Sequence, residues 1–141
     1  MAEDNKNLFN KKITHGSDNP YYVETKKQLD SVGKGFCLAK WTQVTLQLQT
    51  GHNHSCHHPR THKINLKEIE RNPSALHNTQ YKKIRRKEML DGKRPAECDY
   101  CWNVEDNSDR FSDRVFKSGE TWSKPHFDEI KNSDWRANIN P

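Results

Sequence analysis

The residues of this chain best suited to chemistry are its four cysteines, Cys37, Cys56, Cys98 and Cys101. Cys98-Asp-Tyr-Cys101 is a local chelate, because two intervening residues let both thiolates reach one metal ion or adjacent corners of a cluster. That pair alone suits zinc sites, redox dithiols and clusters. A redox dithiol belongs where a strand gives way to a helix in a βαβ setting, and here a helical pattern precedes the pair, which argues against that chemistry. The first pair discriminates further. Cys37 and Cys56 flank eighteen residues that read as a strand and a glycine turn, a spacing unlike a zinc knuckle. Two thiolates on either side of a folded-back element suit a larger object such as a cubane, whose four iron corners each take one thiolate. All four cysteines are therefore the candidate ligands, and no catalytic residue is assigned.

His52, His54, His57 and His58 crowd the approach to Cys56. They keep a zinc site of four cysteines, or of mixed cysteine and histidine, open as the alternative, in a zinc-stabilised binding module. His52-Asn53-His54 spells the name of a nuclease motif, but that fold spreads its named residues over a ββα unit, so the tripeptide carries no such meaning. Lys40, His54, His57 and His58 stand close to the thiols in sequence and are the candidates to tune the potential of a cluster. Trp41 and Trp102 adjoin the cysteine motifs and are expected as apolar walls that limit solvent access.

Only 30% of the 141 residues are hydrophobic, which is thin material for a self-sufficient core. A metal centre is one supplement, because ligand binding becomes folding free energy, about 10–16 kcal/mol for structural zinc in finger peptides. The formal charge is +5, from 24 basic and 19 acidic residues that are mostly interspersed. The one basic block, Lys82-Lys83-Ile84-Arg85-Arg86-Lys87, continued by Lys93-Arg94, reads as a solvated helix face ahead of a nucleic-acid-binding surface. The N-terminal residues lack a signal-peptide pattern, and the longest apolar run is Phe36–Ala39. No membrane partner is expected, and a reducing cytoplasm is the expected compartment, where cysteines serve as ligands rather than disulfides. Four cysteines would otherwise allow three disulfide connectivities.

The elements that must position the thiols follow from periodicity and punctuation. A loop is expected at Gly16–Pro20, a short strand or docking segment at Tyr21–Val23, and a helix at Glu24–Val32 ended by Gly33 and Gly35. Val44, Leu46 and Leu48 alternate with polar neighbours, which predicts a half-buried strand within a hairpin-like element over Thr42–Thr50, turned by Gly51 to deliver Cys56. Asn65 caps a short helix that Asn72-Pro73 ends, and Ser74–Leu76 forms a turn. A longer helix runs from Thr79 to Asp91 with Tyr81, Ile84 and Met89 on one face, and Gly92 closes it. Asn103–Asp109 reads as a polar linker, Asp109–Lys117 as a helix, and Phe127–Lys131 as a helical turn. Trp122 and Trp135 in the tail are suited to dock on a neighbouring domain. The fold class is α+β: a small domain with a hairpin-like element and short helices.

The pattern Cys37-x13-Gly51-x4-Cys56, then Cys98-x2-Cys101, resembles the auxiliary-cluster pattern of the SPASM and twitch domains attached to radical S-adenosylmethionine enzymes. The words Phe36-Cys37-Leu38-Ala39-Lys40-Trp41, His54-Ser55-Cys56-His57-His58-Pro59 and Glu97-Cys98-Asp99-Tyr100-Cys101-Trp102 look like twitch segments placed ahead of the core in some phage and bacterial radical proteins. The resemblance covers about residues 20–140. It implies one auxiliary [4Fe-4S] cluster on Cys37, Cys56, Cys98 and Cys101, serving electron transfer or structure, and a radical S-adenosylmethionine core as partner, in cis or in trans. The C-x3-C-x2-C motif of that core does not occur here, so S-adenosylmethionine would bind only on a core expected beyond Pro141 or on another chain. The expected division is an N-terminal arm at 1–35, a twitch-like iron-sulfur domain at 36–118, and a linker at 119–141 toward that core.

Overall fold

The structure, a computed structural model, describes residues 19–137; residues 1–18 and 138–141, including the Gly16–Asp18 part of the loop expected at Gly16–Pro20, lie outside the described residues. Asn19 accepts the Tyr21 amide at 3.1 Å and caps helix α1, Pro20–Val32. The strand or docking segment expected at Tyr21–Val23 is therefore helical. A side-chain cap followed by a proline with preset φ starts the helix a full turn before Glu24.

Six more helices follow among the described residues: α2 Ala39–Thr42, α3 Leu66–Arg71, α4 Gln80–Leu90, α5 Asp99–Asn107, α6 Asp113–Ser118 and α7 Phe127–Lys131. Short 3-10 turns at Pro73–Leu76, Ala96–Cys98 and Lys124–His126 lead between them. Strands β1 Thr45–Gln47, β2 His52–His54 and β3 His62–Lys63 form an antiparallel sheet in that order, and the fold is α+β.

A hairpin forms, displaced from the expected Thr42–Thr50: Thr45–Gln47 pairs with His52–His54, Thr45 opposite His54 and Gln47 opposite His52, and Gly51 takes φ 72° in the turn. Its burial does not follow the alternation. Val44, Leu46 and Leu48 are 39%, 38% and 68% exposed, so the strand expected to be half-buried is open to solvent. Among the described residues no layer covers that face; β2 buries Asn53 and His54 instead.

Asn65 and Thr79 cap α3 and α4 by accepting the amides of Lys67 and Lys82, and Gly92, at φ 80°, follows α4. The face that α4 buries differs from the expected one. Tyr81 is exposed, and the inward positions are Lys82, Arg86 and Met89, at i, i+4 and i+7. The basic block is thus split: two of its cations point inward, while Arg85 pairs with Glu88 at 2.9 Å and Lys87 with Asp91 at 2.7 Å. The linker expected at Asn103–Asp109 is largely helix, because α5 runs on to Asn107. Burial of Cys101 and Trp102 on its inner face overrides the weak helix propensity of its asparagines and aspartates.

The core comprises Leu29, Phe36, Leu38, Trp41, Met89, Phe111, Val115, Phe127 and Ile130. Leu29 comes from the expected arm, and Phe127 and Ile130 from the expected linker, so both pack on the same core as the middle of the chain. No helix among the described residues is long and apolar enough to cross a membrane.

A four-thiol cavity as candidate metal centre

Three separate pieces of backbone bring the four cysteines together. Cys37 lies just before α2. Gly35, two residues earlier, runs so close to the Lys93–Arg94 backbone that a Cβ there would collide with it. This contact sets the Cys37 segment beside the chain entering Cys98. Cys56 follows β2 on the arm returning from the Gly51 turn. Cys98 is the N-cap of α5, and Cys101 sits in its first turn. All four line one small cavity of about 20 Å³, with Lys40, Ser55, His58, Trp102 and residues of α6 completing its wall. All four are free thiols.

Their spacing is open. Among the described residues, the three ligand-type groups whose donor atoms lie within 4.8 Å of one another are His57, His58 and Asp113; no three of the four sulfurs draw that close.

Burial pushes the Cys98 and Cys101 thiols up to about 12, and it also raises Cys56. The nearness of Cys37 adds to each of these shifts, as expected for thiols facing one another. Filling such a site with a cation must therefore displace protons. Opposing charge is already in place. Lys40 is 3% exposed, with its ammonium on Glu97 and Glu97 in turn accepting from Tyr81 at 3.0 Å. Burial alone would lower the Lys40 ammonium, but Cys98, Glu97 and Cys37 around it hold it above its ordinary value.

Helix α6 supplies contacts that sequence reasoning did not find. The Ser118 hydroxyl donates to the Cys37 sulfur at 3.7 Å and accepts the Leu38 amide at 3.0 Å. The Cys37 thiol donates to the Arg114 carbonyl at 3.9 Å. Hydrogen bonds from the Arg114 backbone and the Ser112 hydroxyl act on Cys101 against its upward shift. The Arg114 guanidinium, fully buried, joins Glu105, Asp30 and the Phe36 carbonyl, each within 2.9 Å. The signal available in sequence was Phe111 and Val115 at i, i+4, which bury this face and so aim its polar neighbours at the thiols.

The residues proposed as tuning groups divide. Lys40 and His58 line the cavity, and His57 Nδ1 lies 4.0 Å from the Cys56 sulfur. His54 turns away to the Cys56 carbonyl, and His52 pairs with the Thr61 hydroxyl at 2.9 Å. Trp102 forms part of the wall, its indole donating to the Pro95 carbonyl at 2.8 Å, whereas Trp41 packs in the core against Phe36. The Ser55 hydroxyl, in the wall, is buried without a hydrogen-bond partner.

Fold and site define a small α+β protein with its whole cysteine complement gathered around one cavity. No family model, curated protein or solved structure matches this chain.

Proposed function

We propose that this protein binds one auxiliary [4Fe-4S] cluster through Cys37, Cys56, Cys98 and Cys101, and works with a radical S-adenosylmethionine core. The observation that carries the cluster assignment is the pairing of convergence with width. Four thiols share a cavity, yet no three sulfurs lie within 4.8 Å of one another. Tetrahedral zinc, with Zn–S near 2.3 Å, would hold its sulfurs about 3.8 Å apart. A cubane spreads its thiolates over four separate irons. The unpartnered Ser55 hydroxyl also fits, since it is a buried donor facing a space that sulfur acceptors would occupy.

Such a cluster supplies electron transfer or a structural cross-link, and four cysteine ligands leave no iron free for substrate. The chain's own residues do the rest. Lys40 sets a buried cation beside an anionic assembly, Ser118 and Arg114 orient Cys37, and Trp102 and Met89 keep the inner wall apolar. Partnership with a radical S-adenosylmethionine core rests on the resemblance of the cysteine pattern, and reading the coding sequence past Pro141 for C-x3-C-x2-C tests it.

The cluster itself is tested by anaerobic purification with metal and acid-labile sulfide analysis. The expected result is about four irons and four sulfides per chain, lost in Cys37→Ala. One zinc without sulfide, or full iron loading of the Cys37→Ala variant, would overturn the assignment.

A further inference from the structure

We infer that His57, His58 and Asp113 form a second metal site, a mononuclear centre for a divalent transition-metal ion at the mouth of the thiol cavity. The ligand atoms converge from two distant segments. His58 Nε2 bonds Asp113 Oδ2, and His57 Nε2 lies 3.6 Å from the same oxygen. The donor atoms of all three residues fall within 4.8 Å of one another.

His57 and His58 lie in a bend after β2 rather than in the strand, where neighbouring side chains would point apart. Here the imidazole centroids are 4.0 Å apart, both turned toward one carboxylate. One hydrogen bond accounts for His58 alone. At 3.6 Å, His57 makes no hydrogen bond to Asp113; its Nδ1 lies 4.0 Å from the Cys56 sulfur, which leaves Nε2 facing the carboxylate. A single cation on all three donors accounts for both rings.

The parts are fixed from behind. Pro59 restricts the backbone of His58, and Tyr100 stacks on the His58 ring at 4.1 Å with 14° between planes. Asp113 opens α6, the helix anchored by Arg114.

Two imidazoles and a carboxylate suit zinc, iron(II), cobalt or nickel far better than magnesium or calcium. Three protein ligands with solvent on one side match the open coordination of centres that keep an exchangeable water. That open side is toward His57 and Asp113, which are 56% and 32% exposed. The site shares no ligand atom with the four cysteines, although His58 and Asp113 also line their cavity and His57 Nδ1 lies 4.0 Å from the Cys56 sulfur.

Cobalt(II) is the probe, added anaerobically to the full-length protein and followed by visible absorption and by calorimetry. Nitrogen and oxygen ligation gives d–d bands without the intense near-ultraviolet sulfur-to-cobalt charge transfer that thiolates produce, so cobalt on the cysteines is distinguished. The signal is read as the difference between wild type and each of His57→Ala, His58→Ala and Asp113→Asn. His57→Ala alters a largely exposed side chain, which guards against loss of fold; circular dichroism checks all three. Wild type should bind one equivalent that is free of charge transfer, and each variant should weaken it at least about tenfold, because loss of an outer-shell partner alone costs that much. No such equivalent in wild type, or variants that bind it unchanged, would overturn the site and leave a metal-free His58–Asp113 pair.

Discussion

Arg114 and Arg86 are each 1% exposed, and each donates to the segment that carries Cys37, Arg114 to the Phe36 carbonyl at 2.9 Å and Arg86 to the Lys40 carbonyl at 3.0 Å. Their surroundings differ in charge. Burial would lower Arg114, but Glu105 and Asp30 overcome it and raise the guanidinium above its ordinary value. Arg86 bonds Asn78, Ala137 and Lys40 only through neutral oxygens, and burial pushes it down to about 10. The Cys37 segment is thus gripped ionically at one end and by dipoles at the other. Either arrangement satisfies hydrogen bonds, but only the first compensates the buried charge.

The largest expected effect breaks the ionic end. Arg114→Met leaves Glu105 buried without its cation and should cost about 3–5 kcal/mol in urea unfolding. Combining it with Glu105→Gln should cost less than the two single losses added, because both remove one interaction. Strict additivity would show that the pair does not act as a unit.

Arg86→Met should stay within about 2 kcal/mol of wild type, since three acceptors lose a donor while an uncompensated buried cation is relieved. A loss equal to that of Arg114→Met would erase the distinction between the two ends.

The contrast was only partly legible in sequence. Caps and punctuation were readable because Asn65 and Gly92 act on their own neighbours. The four thiols were readable from type and spacing, and they share a cavity. What the sequence concealed is decided by distant partners. Arg114 looked like one more charge on a short helix, because Asp30 lies 84 positions away. Lys82 and Arg86 looked solvated because a run of cations does not show which helical face meets a ring of carbonyls. The alternation of Val44, Leu46 and Leu48 specified one face of a strand, but not whether anything would cover it.

Lys82 carries the smallest expected effect and the sharpest sign. It lies on the same buried face as Arg86, donates to the His77 carbonyl at 3.0 Å, and is pushed down to about 7, first by burial and then by Arg86 and Lys40. Between pH 7 and its ordinary 10.5, the unfolded chain keeps a proton that the folded chain has released, so stability rises with pH there. The penalty is fully present below pH 7. Above about pH 9 the trend reverses in protein with free thiols, because Cys98 and Cys101 stay protonated when folded but ionise when unfolded. The readable window is therefore pH 7 to 9. Lys82→Met should raise stability by about 1 kcal/mol at pH 7 and flatten the slope across that window. A slope that survives the substitution would place the titration elsewhere. A loss of stability at pH 7 would mean that neutral dipoles do hold a buried cation in this helix as well as carboxylates hold Arg114.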